Sequence, residues 1–403
     1  MTTSDVRTGR DGSRKDPGGV GEDPGDGVDF GLEQVNEVLA GMVGEVAGDR
    51  PRDAELITCR LGIDGESPET LMLLGARFGV SRDRARQLYT RAVGNMVRQA
   101  LATGEPDLGV FARRYPAGWG DERLVRTLLA ETYATDGDIA AQDWAYLKLR
   151  LAGHDLQDSK RLAGFVFQRI AGWQQKGRWH LMPNAQPEDV PDDIWNPWLK
   201  QADWPAGSPD ELPVLPAGRL DYDDDGRGRM YSEKLGREVT FDTALQARLL
   251  RLLDASPRVT TFRELPAAVT YTIDGADRLH YPTAAAQFTD GRTLLIDVLP
   301  PAHTALHIHR TRAAASLAHA HTHGWGHLTW TGSRHTLESL KSRKVDPRHD
   351  SALTNRLTRG PLPWPELQAL TPDLDLLDLA TLTLRHNWRW DRAPFRLSAA
   401  SPI

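Results

Sequence analysis

The chain has 403 residues, 40% of them hydrophobic and 26% charged, with a formal net charge of −6. That length exceeds what one ordinary core organises, so two or three domains are expected, each able to bury an apolar interior. The acidic balance speaks against a protein that coats nucleic acid by bulk electrostatics, and the single cysteine, Cys59, excludes an intramolecular disulfide, a Cys-based zinc knuckle and a CxxC redox pair.

Residues 1–29 are rich in Gly, Asp, Ser and Pro and nearly devoid of apolar side chains, a composition that cannot offset the entropy of ordering a backbone, so a disordered tail is expected. This stretch has neither the apolar core of a signal peptide nor an Arg-rich, acid-poor transit pattern. No apolar run approaches the roughly 20 residues that cross a bilayer, and a cytoplasmic protein with no membrane partner is expected. From Phe30 to about Trp179 apolar residues recur three and four apart, as in FGLEQVNEVLAGMV, DERLVRTLLAETYA and DWAYLKLRLAG, and each run predicts a helix. This half divides into a domain over 30–105 and a second helical domain over 106–180.

Within the first domain, Arg52 to Gln99 has the order of a helix-turn-helix. A first helix carries Leu56, Ile57 and Leu61; Thr70 caps a second with Leu71, Leu74 and Phe78 inward; Gly79 supplies the turn and Ser81 caps a third. The third helix projects Arg82, Arg84, Arg86, Gln87 and Arg91 outward and turns Ala85, Leu88, Ala92 and Val93 to the core. The strings CRLGIDG, TLMLLG, GV and SRDRARQ resemble region 4 of the bacterial sigma-70 family over about an eighth of the chain. The resemblance implies a helix that enters the major groove of double-stranded DNA, with Arg82, Asp83, Arg84, Arg86 and Gln87 shared between phosphates and base edges; the capping Ser81 and the outward Arg91 complete the candidate DNA-binding set. RNA polymerase, or another protein, is the alternative partner that it implies. The aromatic-rich segment with which sigma factors melt a promoter is missing, so a complete initiation factor is not expected.

Residues 181–228 are rich in Pro, acidic residues and Trp and read as a linker; Trp195, Trp198 and Trp204 predict that it packs on a neighbouring domain. Over 229–333 the pattern turns to strands. FDTALQARLLRLLDAS predicts a helix, VTYTIDG, HYPTAAAQF and TLLIDVLP three strands, TRAAASLAHAHT a helix and HLTWTG a last strand, together a small α/β domain. Gly236 to about Gly332 resembles the TnsA-type transposase endonucleases of the PD-(D/E)xK class, and so implies a restriction-endonuclease-like fold. In that class carboxylates and a lysine converge on magnesium. Carried over by position, the helix carboxylates become Asp242 and Gln246, the aspartate after proline becomes Thr283, the second acid is Asp297, and the lysine two residues on is Leu299. The loss of the metal-binding aspartate and the lysine implies no cleavage and no cofactor; a site rewired through Asp297, Asp242, Glu238 or Asp290 is the alternative.

Nine of thirteen histidines fall between His303 and His349. HAHTH on a helix does not share one face and no cysteine completes a tetrahedron, so structural or surface roles are expected over a metal site, with His323 at a helix C-terminus. Residues 334–403 have the helix, turn, helix, ribbon order of a winged helix, in which Arg385, Arg389 and Arg392 are candidates for DNA contact and Trp388, Trp390 and Phe395 for packing. The whole reads as a multidomain α+β protein. Its expected function is sequence-specific binding of duplex DNA as a transcriptional regulator, with an inactive nuclease-like scaffold. The rival is a divergent metal-dependent DNA endonuclease of a transposition or defence system.

Overall fold

A computed structural model describes residues 30–104, 106–135, 137–176, 195–218, 228–333 and 336–399. The expected tail over 1–29 and residues 181–194 and 219–227 of the expected linker lie outside the described residues. The architecture is mixed α and β with several small sheets, and no helix among the described residues is long and apolar enough to cross a membrane.

The N-terminal half is helical. α1 (Phe30–Asp49) packs Val35, Leu39, Met42 and Val46 inward, and α2 (Pro51–Leu61) buries Leu56, Ile57 and Leu61. Gly62 stops α2 in the left-handed region at φ 65°; a methyl there would lie 2.4 Å from the Glu66 carbonyl, so only glycine fits. Thr70 caps α3 (Leu71–Arg77), accepting from the Leu73 N–H at 3.3 Å, and Ser81 caps α4 (Arg82–Thr103). Leu74 is fully buried between them, whereas Leu71 and Phe78 are half-buried; Arg52 stands over the Phe78 ring at 5.5 Å. The turn relies on a second glycine besides Gly79 (φ 64°): a methyl on Gly75 would meet the Val80 carbonyl at 2.8 Å. α5 (Gly109–Arg114), α6 (Asp121–Thr135), α7 (Ala141–Leu151) and α8 (Leu156–Lys176) follow. They close around buried Glu131, which pairs with Arg114 and Lys148, both at 2.7 Å, and accepts from the Tyr115 hydroxyl at 2.8 Å.

α9 (Asn196–Gln201) begins the Trp-rich segment, which packs as its composition predicts. Trp195 is fully buried, donates to Ser256 Oγ at 3.0 Å and meets Phe288 edge-on; Trp198 meets Trp330 edge-on at 5.7 Å. Trp204 covers Gly326 so closely that a methyl there would lie 2.5 Å from its ring.

The hairpin β1 (Gly228–Ser232) and β2 (Arg237–Phe241) leads into α10 (Ala244–Ala255), capped by Thr243. Next come β3 (Val259–Glu264), the ribbon β4 (Val269–Ile273) and β5 (Ala276–His280), then β6 (Ala284–Phe288) and β7 (Thr293–Val298). α11 (His307–Thr322) crosses over to β8 (Gly326–Trp330). The main sheet has the order β3-β6-β7-β8, antiparallel except for the parallel pair β7 and β8. Two expectations are corrected. VTYTIDG is not a strand of this sheet: it is β4, paired only with β5 in a separate ribbon, and HYPTAAAQF is split, with His280 ending β5 and β6 starting at Ala284. The missing sheet strand is β3, whose alternation is disguised by a register shift between Val259 and Thr261 and by the buried Glu264, matched by two Arg237 bonds of 2.6 Å.

The C-terminal segment contains α12 (Leu337–Ser342), α13 (Pro347–Leu357), β9 (Leu362–Pro363), α14 (Trp364–Leu370), α15 (Leu376–Arg385), β10 (Arg389–Asp391) and β11 (Arg396–Ser398). Its small antiparallel sheet has the order β10-β11-β9, with Trp388, Trp390 and Phe395 buried as packing residues. One apolar cluster runs from α1 through the helical half into the main sheet, and a second joins Leu32 to the C-terminal segment.

The Gly75 contact generates a test. Gly75→Ala should destabilise the protein by about 1–3 kcal/mol, read as a lower denaturation midpoint. Gly44→Ala, where an added methyl meets nothing within 4 Å, should instead raise the midpoint slightly through helix propensity. Equal midpoints for the two variants would refute the close approach.

Candidate nucleic-acid interface and the cleft beside it

α4 divides its residues by helical period. Ala85, Tyr89, Ala92, Val93, Met96 and Val97 are buried, while Ser81, Arg82, Asp83, Arg84, Arg86, Gln87 and Arg91 are all exposed. Leu88, expected in the core, is half-buried, and Tyr89 takes the inward place because it stands one turn beyond Ala85. The Ser81 hydroxyl accepts from the Arg84 N–H at 3.2 Å, and Asp83 complements the positive end of the helix. Arg84 Nη1 donates to Gln87 Oε1 at 3.2 Å on the same face. Arg86 and Arg91 make no ion pair among the described residues. Four arginines against one aspartate therefore give the first three turns a local positive excess in an acidic chain.

Beside the helix-turn-helix lies a cleft of about 830 Å³, lined by the loop between α2 and α3, the β4–β5 ribbon, the start of α10, the end of β7 and α11. Asp242, Gln246, Thr283, Asp297 and Leu299 all line it, so the structure gathers five positions spread over 58 residues of sequence. Their chemistry is internal. Gln246 Oε1 accepts from the Asp242 N–H at 2.8 Å, Thr283 is held by backbone bonds to Leu265 and Ile296, each 3.0 Å, and the Leu299 N–H donates to the Trp330 carbonyl at 3.1 Å.

Asp297, almost fully buried, receives one imidazole on each oxygen: His280 Nε2 at 2.6 Å on Oδ1 and His327 Nε2 at 2.9 Å on Oδ2. Burial alone would raise this carboxyl, but the two imidazoles outweigh it and hold it far below the ordinary carboxylate range. A magnesium ion needs several converging oxygen donors. Of the two carboxylates among these five residues, Asp297 has both oxygens taken, and Gln246, Thr283 and Leu299 bring no charge; among the described residues no group of three or more His, Cys, Asp or Glu is placed to hold a metal ion, so these residues do not fit the ion. Neither His280 nor His327 was expected as a partner of Asp297. No local pattern pairs them with the acid, since they lie 17 and 30 residues from it in sequence.

Several of the other described histidines meet protein groups too. His323 ends α11 and bonds Asp210 through Nδ1 at 2.9 Å, and His321 lies 3.3 Å from Asp203. His303 and His309 are buried with stacked rings, centroids 5.9 Å apart, and Arg392 Nη1 donates to His303 Nε2 at 3.3 Å. Burial first, then the nearby cations, pushes His303 well below the usual histidine range and His309 down to about 3. Burial also pushes the Cys59 thiol up to about 12, which keeps it protonated.

Sequence reasoning missed a second constellation. Glu66, on the loop between α2 and α3, has its carboxylate met by the Tyr271 hydroxyl and Arg278 Nη1, both at 2.7 Å, and by Arg312 Nη2. Nothing local in the sequence announces it, because its partners lie more than 200 residues away. Arg385, Arg389 and Arg392 are engaged by protein groups. Arg385 donates to the Lys341 and Arg343 carbonyls, Arg389 pairs with Asp391 and Asp274, and Arg392 pairs with Glu33 at 2.8 Å. α15, the helix that would face DNA in a winged helix, is buried over Leu379–Thr383.

The histidine pair sets an acid limit. With a folded pKa near 3 for His309 against about 6.5 unfolded, the unfolded chain binds protons first, so stability is lost as pH falls below about 6.5. Melting temperatures between pH 8 and 5 should decline accordingly, and His309→Leu, which removes a buried Nδ1 that has no partner, should flatten the decline. No protein-family model matches this chain.

Proposed function

We propose that this chain is a sequence-specific double-stranded DNA-binding protein, a transcriptional regulator, that reads its site with α4 and uses the α/β unit as a non-cleaving scaffold. The observation that carries the reading is the outward face of α4, where exposed Arg82, Arg84, Arg86, Gln87 and Arg91 surround a capped N-terminus and Arg86 and Arg91 have no ion-pair partner among the described residues. A helix so capped and charged meets the two needs of groove binding: cations for phosphates, and planar donors for base edges. Arg385, Arg389 and Arg392 have no part in this reading, since protein groups already hold them.

The alternative is a metal-dependent endonuclease. It is favoured by the meeting of Asp242, Gln246, Thr283, Asp297 and Leu299 in one cleft and by a helix, three antiparallel strands, a helix and a parallel strand around it, the layout that a PD-(D/E)xK ancestry would leave. Against it stand the two imidazoles on Asp297.

Two measurements decide. On duplexes selected from a random library, Arg84→Ala with Arg86→Ala should weaken binding more than tenfold and flatten its salt dependence; an unchanged affinity would refute α4 as the reader. Supercoiled plasmid incubated with magnesium or manganese should stay intact, and nicking that Asp297→Ala abolishes would overturn the non-cleaving assignment.

A further inference from the structure

The Glu66 constellation is built unlike a surface ion pair. Glu66 comes from the tight loop between α2 and α3, whose Gly65 lies against Ile308, Leu306 and Arg392. Its receptor is assembled from two other elements: Tyr271 and Arg278 on the β4–β5 ribbon, and Arg312 on α11. Arg278 binds one carboxylate oxygen and Arg312 the other, the Tyr271 hydroxyl donates to the first, and Arg312 Nε donates in turn to that hydroxyl at 3.2 Å. Arg312 is 7% exposed and Tyr271 3%, whereas Arg278 is exposed, so the receptor has a shielded floor and an open side, and all four residues line the 830 Å³ cleft.

Two guanidiniums and a phenol around a single anion make a donor set that carboxylate and phosphate satisfy alike. Without Glu66 the pocket holds two cations. Asp64, whose carboxyl burial raises against the pull of Arg278 and Arg312, adds a negative charge beside them. The bound carboxylate belongs to the same helix-turn-helix that carries α4.

We propose that Tyr271, Arg278 and Arg312 form a phosphate-binding site and that Glu66 occupies it in the free protein as an internal stand-in, to be exchanged for a backbone phosphate of duplex DNA. The DNA part rests on the reading of α4 as a DNA-binding helix; the phosphate site does not. On exchange, the loop between α2 and α3 is released from the ribbon while the α/β unit gains a backbone contact of its own, so the scaffold joins the complex after the reader has engaged.

The test uses the full chain and two probes, inorganic pyrophosphate and a duplex of random sequence. Glu66→Gln, which keeps one acceptor oxygen for the receptor but removes the charge, and Glu66→Ala, which vacates it, should each bind pyrophosphate at least tenfold more tightly than the parent, and adding Arg278→Gln should cancel the gain. Equal, weak pyrophosphate binding by the parent and both variants, with unchanged circular dichroism, would overturn the site. Random duplex should also bind more tightly to Glu66→Gln, with a salt slope steeper by about one phosphate contact. That gain should persist when Arg84 and Arg86 are replaced by Ala, which separates this site from α4. A pyrophosphate gain without any duplex gain would overturn DNA as the source of the phosphate.

Discussion

A carboxylate taken out of water costs several kcal/mol unless donors meet it, and this constraint decides how distant parts of the chain lie on one another. Glu33 of α1 is met by Arg392 of the C-terminal segment at 2.8 Å. Glu37 accepts from the Phe395 N–H at 2.6 Å, Asp143 of α7 is met by Arg60 of α2 at 2.8 Å, and Glu66 is met by Tyr271, Arg278 and Arg312. Breaking one partner of a buried pair costs about 3–5 kcal/mol, comparable with much of a domain's net stability, whereas a slide along an apolar surface costs little in any single direction. The apolar clusters supply the drive to associate; the buried Glu33 and the half-buried Glu37, Glu66 and Asp143 fix which surfaces meet and in what register.

The same constraint gives the α/β unit its present character. A carboxylate at the end of a central strand is an isolated anion in a low-dielectric site, and something positive or hydrogen-donating has to satisfy it. In Asp297 the donors are the ring N–H groups of His280 and His327, side chains of the protein itself. A group that in a metalloenzyme would stay open toward an incoming ion is here a fixed member of the core. The proposal of a scaffold rests on that substitution of donors, and the exposed face of α4 is its complement: it carries arginines that the protein does not engage in ion pairs among the described residues.

Much of the helical half was legible because its signals are local. Thr70 and Ser81 as caps, Gly79 as the turn and the three-four spacing in α1, α6 and α7 each depend on residues within a few positions of one another. Burial of the linker tryptophans could be foreseen from the size of the side chain alone. The α/β unit was read less well, because β3 has a bulge and a buried Glu264 that its own sequence cannot pair, while β4 alternates well enough to pass for a sheet strand. Asp297 and its four cleft neighbours could be named, since a resemblance supplied their positions, but the partners of the acid could not. Hydrogen bonds between His280, His327 and Asp297, or between Glu66 and Arg312, join residues with no pattern in common, and only the folded chain reveals them.

The β4–β5 ribbon carries a mechanical implication. Arg278 and His280 stand two positions apart on β5, hence on one face and about 7 Å from each other; the first grips the helix-turn-helix loop and the second grips the buried acid of the main sheet. A displacement at either end reaches the other through a single short rod of backbone. As long as Arg278 holds Glu66, the loop and the imidazole are therefore tied through one strand, and release of the first frees the second from that tether.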